Sequence, residues 1–279
     1  MIAFLNGQFM PEAQAVVPIN DRGFMYGDGL FETMRVVGGR PFRLAQHLER
    51  LVRGAEFLQI KLPHPPKELQ RFTEQLIEKN HMPESVLRIM LTRGPGRRGY
   101  LPADSGPPTL VMTLHETPAL ATDAQVLWNL VTSPYRISAS DVFASFKTTS
   151  KMLHIMARAD AAARGADEAL LVNTNGEAAE TATGNLFWVY QDKICTVPTG
   201  RGVLPGITRA VVLEICQTLG LQTNKRVIKP EALRNSGGIF ITQSTLGIVP
   251  VSVFDGEPVE LSPLVDQIAC AYQDLLVKG

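Results

Sequence analysis

The sequence predicts a two-domain protein that is α/β in content and α+β in arrangement, and three observations carry that prediction. At 279 residues the chain exceeds the ~150 residues that a single domain usually takes. Strand-like and helix-like periods are mixed along it without the regular βαβα alternation of a doubly wound parallel sheet. The segment TPALATD, residues 117–123, reads as a linker. It divides a small N-terminal α+β domain, residues 1–116, from a larger C-terminal domain, residues 124–279.

In the first domain, FETMRVVGGRPF is two short β-rich runs across Gly38-Gly39, a hairpin signal because glycine readily takes positive φ at both turn positions. RLAQHLERLVRGAEFLQI sets Leu44, Leu48, Leu51, Ala55 and Leu58 on one face of a helix. A second helix follows Pro65-Pro66, and the strands SVLRIMLTRG and PTLVMTLHE flank a loop rich in Gly, Pro and Arg. The second domain opens with the apolar strand AQVLWNLV, and the helix SKMLHIMARADAAARG then ends at Gly165. The strand EALLVN leads into the turn NTNGE, and GNLFWVYQDKICTV is a hairpin. ITRAVVLEICQTLG is a helix closed by Gly220. The strands GIFITQ and VPVSVFDG and a terminal helix from about Ser262 complete the chain.

Composition excludes several classes. Lys+Arg and Asp+Glu each number 27, so no net field draws the chain to nucleic acid or to an anionic membrane. Any anion site must be local. Cys195, Cys216 and Cys270 are scattered without CxxC spacing, which fits a reducing compartment and argues against a zinc knuckle or a disulfide framework. The histidines, at 47, 64, 81, 115 and 154, include no HxxxH pair, so no metal site is expected. No GxSxG elbow is present for a serine hydrolase. MIAFLNGQFMPEA has no basic segment before a long apolar run, and no apolar stretch approaches 18 residues; a cytoplasmic location is expected.

Four stretches carry candidate chemistry. GPGRRG, residues 94–99, matches GxGxxG, but YLPADSGPP follows where a dinucleotide site needs a helix. It is either a surface loop or a loop whose Arg97 and Arg98 receive a carboxylate. VLPGITRAVVLEI starts a helix at Ile207 and Thr208, an ordinary end or one able to hold phosphate on its amides. The hydroxyl-rich corner TQSTLG (242–247) and Arg50 could complete such a pocket, although Arg50 shares a stripe with Arg53 and a solvated role is equally open. Glu180 in EAAETATGNLFWV is either a turn carboxylate or an anion that keeps a nitrogen heterocycle protonated. Lys147 follows the apolar stretch DVFASF; a nucleophilic lysine needs such a pocket, or neighbouring cations, to keep its amine neutral.

Taken in order and spacing, YGDGLFETMRV, HLERL, FKTTSKMLHIMAR, ADEALLVNTNGEAAETATGNLF, LPGITR and TQSTLGIVPV resemble the class IV, or fold type IV, pyridoxal-phosphate enzymes. The resemblance runs from near the first residue to about Val253. It covers branched-chain and D-amino-acid aminotransferases and 4-amino-4-deoxychorismate lyase. It implies a two-domain fold with the cofactor, pyridoxal 5'-phosphate, between domains, the larger domain being the cofactor-binding one. It also implies a homodimer whose sites borrow a loop from the partner.

Carried over residue by residue, the resemblance implies that Lys147 bonds covalently to the cofactor while Lys151 is a surface residue. Glu180 would pair with the pyridine nitrogen. Arg50, Ile207, Thr208 and Ser244 would hold the phosphate, and Leu204 would pack on the ring. Tyr26, Glu32, Arg98, Tyr100 and Thr245 would meet an amino substrate bearing a carboxylate. RGPGRRGY is similar to the lyase form of its loop, and TQSTLGIVPV is nearer the lyase than the aminotransferases. The implied activity is 4-amino-4-deoxychorismate lyase, giving 4-aminobenzoate and pyruvate in folate biosynthesis. The alternatives are a class IV aminotransferase for D-amino or branched-chain amino acids and, more remotely, a non-catalytic cofactor-binding protein.

Overall fold

A computed structural model of the chain describes residues 1–117 and 126–278. The expected linker, Thr117 apart, lies outside the described residues. The chain forms two compact units: residues 1–117 with 146–150, and residues 126–145 with 151–278. Residues 146–150, inside the stretch assigned to the second domain from sequence, thus group with the first unit.

The first unit contains β1 (Ile2–Leu5), β2 (Gln8–Pro11), α1 (Arg22–Tyr26), β3 (Gly29–Val37), β4 (Arg40–Pro41), α2 (Leu44–Phe57), α3 (Pro66–Asn80), β5 (Ser85–Thr92) and β6 (Thr109–Glu116). Its strands make one antiparallel sheet in the order β2-β1-β6-β5-β3-β4. The β3–β4 turn is the expected Gly38-Gly39 hairpin, with φ of 55° and 76°. Along β3 the period of two is strict: Leu30, Glu32, Met34 and Val36 are buried while Phe31, Thr33 and Arg35 are half-exposed. Leu30, Met34 and Val36 pack with Leu48 and Leu51 of α2 and Leu69 and Leu76 of α3 in one core. One inward position of β3 is therefore a carboxylate among aliphatic side chains. It needs partners.

The second unit contains β7 (Trp128–Ile137), α4 (Met152–Ala163), β8 (Glu168–Asn173), β9 (Ala178–Thr181), β10 (Asn185–Tyr190), β11 (Lys193–Thr196), α5 (Ile207–Thr218), β12 (Thr223–Lys225), α6 (Pro230–Leu233), β13 (Ile239–Gln243), β14 (Gly247–Phe254), β15 (Glu257–Pro258) and α7 (Pro263–Lys278). Its strands run β12-β11-β10-β13-β14-β7-β8-β9, and β9 also pairs with β10. Six of them, β10, β13, β14, β7, β8 and β9, therefore close into a ring. Closure sets Glu180 directly opposite Asn185, and Asn185 directly opposite Thr242. The pairing of β7 with both β14 and β8 is parallel, but most of the ring is antiparallel, in keeping with the absence of regular βαβα alternation.

Two sequence expectations shift in detail. The strand expected at AQVLWNLV spans Trp128–Ile137, and its first two residues lie outside the described set. The helix expected from Ser150 begins at Met152 and ends at Ala163. Among the described residues, no helix is long and apolar enough to cross a membrane.

Candidate active site

Two clusters of functional side chains stand out, one in each unit. In the first unit the segment after Phe146 runs alongside the start of β3. Phe31 N donates to Lys147 O at 2.9 Å, Thr149 N donates to Gly29 O at 2.9 Å, and Thr149 Oγ1 donates to Gly27 O at 2.8 Å. Lys147 is thus held by backbone bonds in an extended stretch, and not on a helix. Its Nζ lies 4.6 Å from the centroid of Phe31, and Arg88 Cζ lies 4.4 Å from that same centroid. The π-system of one ring thus attracts both cations. Phe57 and Phe146, the residue before the lysine, stack at 4.3 Å.

The carboxylate on the inward face of β3 finds its partners on α2. Glu32, only 1 % exposed, accepts from Arg50 Nε at 2.8 Å and Nη2 at 2.7 Å, and from His47 Nδ1 at 2.7 Å. Burial alone would raise the Glu32 pKa, but the charge and bonds of Arg50 and the bond from His47 overcome it and hold Glu32 at about 2. His47 is pushed down, first by burial and then by the charges of Arg50 and Lys147, against the pull of Glu32. Glu32, expected at the substrate, and Arg50, expected at a phosphate, are therefore bonded to each other, with Arg50 4 % exposed.

The loop RGPGRRGY is fastened to α1. Arg22 Nη1 and Nη2 donate to Gly99 O and Tyr100 O at 2.9 and 3.1 Å, and Gly99 N donates to Tyr26 Oη at 2.9 Å. Asp28 anchors the same end, accepting from Arg22 Nε and Arg93 Nε at 2.9 and 2.8 Å. Tyr26 and Tyr100 meet edge to face at 5.7 Å. Arg98 is exposed, Arg97 lies 4.0 Å from Asp104, and Tyr100 is 88 % exposed.

In the second unit, ring closure assembles the other cluster. Glu180 Oε2 accepts from Leu204 N at 2.9 Å and from Asn185 Nδ2 at 3.4 Å, while Glu180 Oε1 lies 3.5 Å from His154 Nε2. Asn185 Nδ2 also donates to Leu204 O at 2.9 Å, so Leu204 is held through both its backbone groups. Two residues on, Gly206 opens α5, and no side chain caps that helix. The amides of Ile207 and Thr208 stand in its first turn without intrahelical acceptors. A Cβ at Gly206 would come within 2.0 Å of Asn185 Oδ1, so a larger residue there would displace the Asn185 amide that holds Leu204. Ser244 and Thr245 follow β13, and Thr245 Oγ1 donates to Gln243 Oε1 at 3.0 Å. Among the described residues of this unit, five buried polar atoms have no hydrogen-bond partner, His154 Nδ1 and Thr242 Oγ1 among them.

Phe31, Arg88 and Asn185 are not singled out from sequence, and His47 and His154 are weighed there only as metal ligands. Arg88 left a signal, as a charge at a half-exposed position of an otherwise apolar strand. So did His154, which shares a helical stripe with Ala157 and Ala161. Lys151, expected at the surface, is half-buried as the residue preceding α4.

A sequence model of the family described as Amino-transferase class IV matches residues 29–254. The chain belongs to the class IV aminotransferases. Among relatives, the D-alanine aminotransferase of Bacillus licheniformis is 28% identical over 283 residues, covering 99% of this chain and 98% of its own. The branched-chain aminotransferase of the thermophilic archaeon Thermoproteus uzoniensis, solved with norvaline, superposes with a TM-score of 0.93 at 25% identity, over 100% of this chain and 95% of its own. A candidate 4-amino-4-deoxychorismate lyase from Legionella pneumophila superposes with a TM-score of 0.88 at 26% identity, over 95% and 97%. The fold is that of the fold type IV enzymes, and this class IV enzyme is pyridoxal-phosphate dependent.

The residues present fit that cofactor. An uncapped helix end is a ready anion site, and Glu180 Oε1 has neither a backbone nor an amide donor among the described residues. The first suits a phosphate and the second a protonated ring nitrogen.

Proposed function

We propose that this class IV enzyme is a 4-amino-4-deoxychorismate lyase. The observation that carries the reading is a pair of guanidiniums, Arg88 beside the Lys147–Phe31 contact and Arg98 on the loop fastened by Arg22 and Tyr26. Neither makes a hydrogen bond or ion pair with the described residues. A substrate with two carboxylates and one amine suits such a pair, because each guanidinium can take a carboxylate in bidentate fashion. Aminodeoxychorismate has those groups. The Legionella neighbour and the lyase-like loop support the same reading.

In this reading Lys147 carries the cofactor, Glu180 faces the ring nitrogen, and Leu204 packs on the ring. The amides of Ile207 and Thr208 and the hydroxyl of Ser244 hold the phosphate, and Glu32 fixes the orientation in which Arg50 assists them. Tyr26, Tyr100 and the Thr245 amide line the substrate. When bound, the cofactor supplies an electron sink for charge developing at the amine-bearing carbon. Lys147 Nζ removes the proton from that carbon. The ether bond to the enolpyruvyl group then breaks, the ring becomes aromatic, and the departing enolate gains a proton to become pyruvate, with no net oxidation. Arg88 and Arg98 hold the two carboxylates still while this occurs. The enzyme is proposed to act as a cytoplasmic homodimer.

A second reading, transamination of D-amino or branched-chain amino acids, is supported by the relatives from Bacillus and Thermoproteus. One pair of assays separates the two. Aminodeoxychorismate should yield pyruvate and 4-aminobenzoate without any amino acceptor, while D-alanine or leucine with 2-oxoglutarate should not turn over. Turnover only in the second assay replaces the lyase with an aminotransferase, and turnover in neither leaves a cofactor-binding protein. Lys147→Ala should abolish both activity and the near-visible absorption of the bound cofactor.

A further inference from the structure

We infer that His154 is a positioning residue for the Glu180 carboxylate, presenting Oε1 to a protonated ring nitrogen. The inference rests on the proposal that Glu180 faces that nitrogen. The two oxygens of Glu180 are treated differently: Oε2 has the Leu204 amide at 2.9 Å and the Asn185 amide at 3.4 Å, whereas Oε1 has, among the described residues, only His154 Nε2, at 3.5 Å. That last distance exceeds an ordinary hydrogen bond. It is an electrostatic tether that leaves Oε1 able to accept a full bond from another donor, since a carboxylate oxygen has two lone pairs.

The other ring nitrogen fixes the tautomer. His154 Nδ1 is buried without a partner. A proton on Nδ1 would be an unsatisfied buried donor, and it would also turn a bare Nε2 lone pair toward a carboxylate. Of the two neutral tautomers, the one with its proton on Nε2, facing Oε1, is therefore the favoured one. The imidazole is carried by a rigid element, because Ala157 and Ala161, on the same stripe of α4, are 0 % exposed against the core of the unit. Small side chains there let the helix approach closely enough for the ring to reach Glu180.

The test compares three substitutions that dissect the ring. In H154Q the amide nitrogen stands near the Nε2 position, in H154N near Nδ1, and H154A removes both. Titrating each apoenzyme with pyridoxal 5'-phosphate, and following the absorption of the bound form against pH, reads the tether directly. H154A and H154N should weaken cofactor affinity roughly tenfold and alter the pH profile of the band, while H154Q should stay within about threefold of wild type. Thermal unfolding of the apoenzymes checks folding; should H154A fail to fold, the H154Q and H154N pair still decides. Equal impairment of H154Q and H154N, or wild-type affinity and profile in H154A, overturns the inference. Failure of the underlying reading looks different: wild type would not bind the cofactor, or E180Q would bind it with an unchanged pH profile.

Discussion

Glu32 in the first unit and Glu180 in the second are both buried carboxylates on strands, yet their surroundings differ in kind. Glu32 is closed: both oxygens are bonded, by a guanidinium at 2.8 and 2.7 Å and an imidazole at 2.7 Å. Glu180 is half open, with one oxygen bonded to an amide at 2.9 Å and the other facing His154 at 3.5 Å. A closed ionic cluster fixes the backbone that carries it. An open one has capacity left for a ligand. The difference teaches that burial of a carboxylate does not mark a functional group; the number of bonds still available does.

That comparison makes opposite demands of the two glutamates. Glu32→Gln should be the more damaging to the fold, because it leaves Arg50 as a buried charge beside a neutral amide, at a cost of about 3–5 kcal/mol. Denaturant unfolding followed by hydrogen exchange of β3 and α2 amides measures it, and a loss below ~1 kcal/mol would show that the cluster is not structural. Glu180→Gln should do the reverse. Its amide oxygen can still accept from Leu204 N, so stability should change by under about 1 kcal/mol. Turnover should fall by about 10²-fold, since the charge facing the ring nitrogen is gone.

The closed cluster also sets an acid limit. Glu32 is held at about 2 against an ordinary value of 4.5, so the unfolded chain binds its proton first. The stability this contributes, on the order of 3 kcal/mol, is present above pH ~4.5 and lost as pH falls toward 2. His47 adds to the loss from higher pH. Its pKa is lowered from 6.5 by burial first, so the unfolded state takes up its proton before the folded one, and stability declines as pH drops below about 6.5. Unfolding free energies between pH 7 and 3 should slope downward in wild type and flatten below pH 4.5 in Glu32→Gln. A parallel slope in the two proteins would place the acid sensitivity elsewhere.

Legibility in the sequence followed the same division. Local chemistry was readable: the Gly38-Gly39 hairpin, the helix opening at Ile207 and the strands at 85–92 and 168–173 stand where periodicity puts them. β1, β2 and α1 are short, with only 4 or 5 residues each, and a period needs more length than that to show. Long-range pairing was not readable. That Arg50 meets Glu32 depends on α2 packing over β3, 18 residues apart in sequence, and the pairing of Glu180 with Asn185 depends on closure of a ring of strands. Spacing along the chain distinguished Lys147 from Lys151 only through family resemblance. Phe31, which faces Lys147, and Arg88, which meets the same ring, come from strands whose register no local pattern reveals.

The smallest expected effect sharpens the contrast between closed and open groups on a single helix. Arg50 and Arg53 are three residues apart on α2, and sequence alone allowed both to be solvated. Arg53 pairs with Glu49 at 3.0 Å, but the two side chains are 55% and 66% exposed. Water screens such a pair and side-chain entropy opposes it, so Arg53→Ala should cost no more than about 0.5 kcal/mol. It should also leave the acid profile unchanged, because neither Glu32 nor His47 is bonded to it. If Arg53→Ala destabilised the protein as much as Glu32→Gln, position on the helix and not closure of the cluster would govern stability in this unit. The measurement is a difference in unfolding free energy at pH 7, repeated at high salt, where the small Arg53 contribution should shrink further and the buried Arg50–Glu32 contribution should persist.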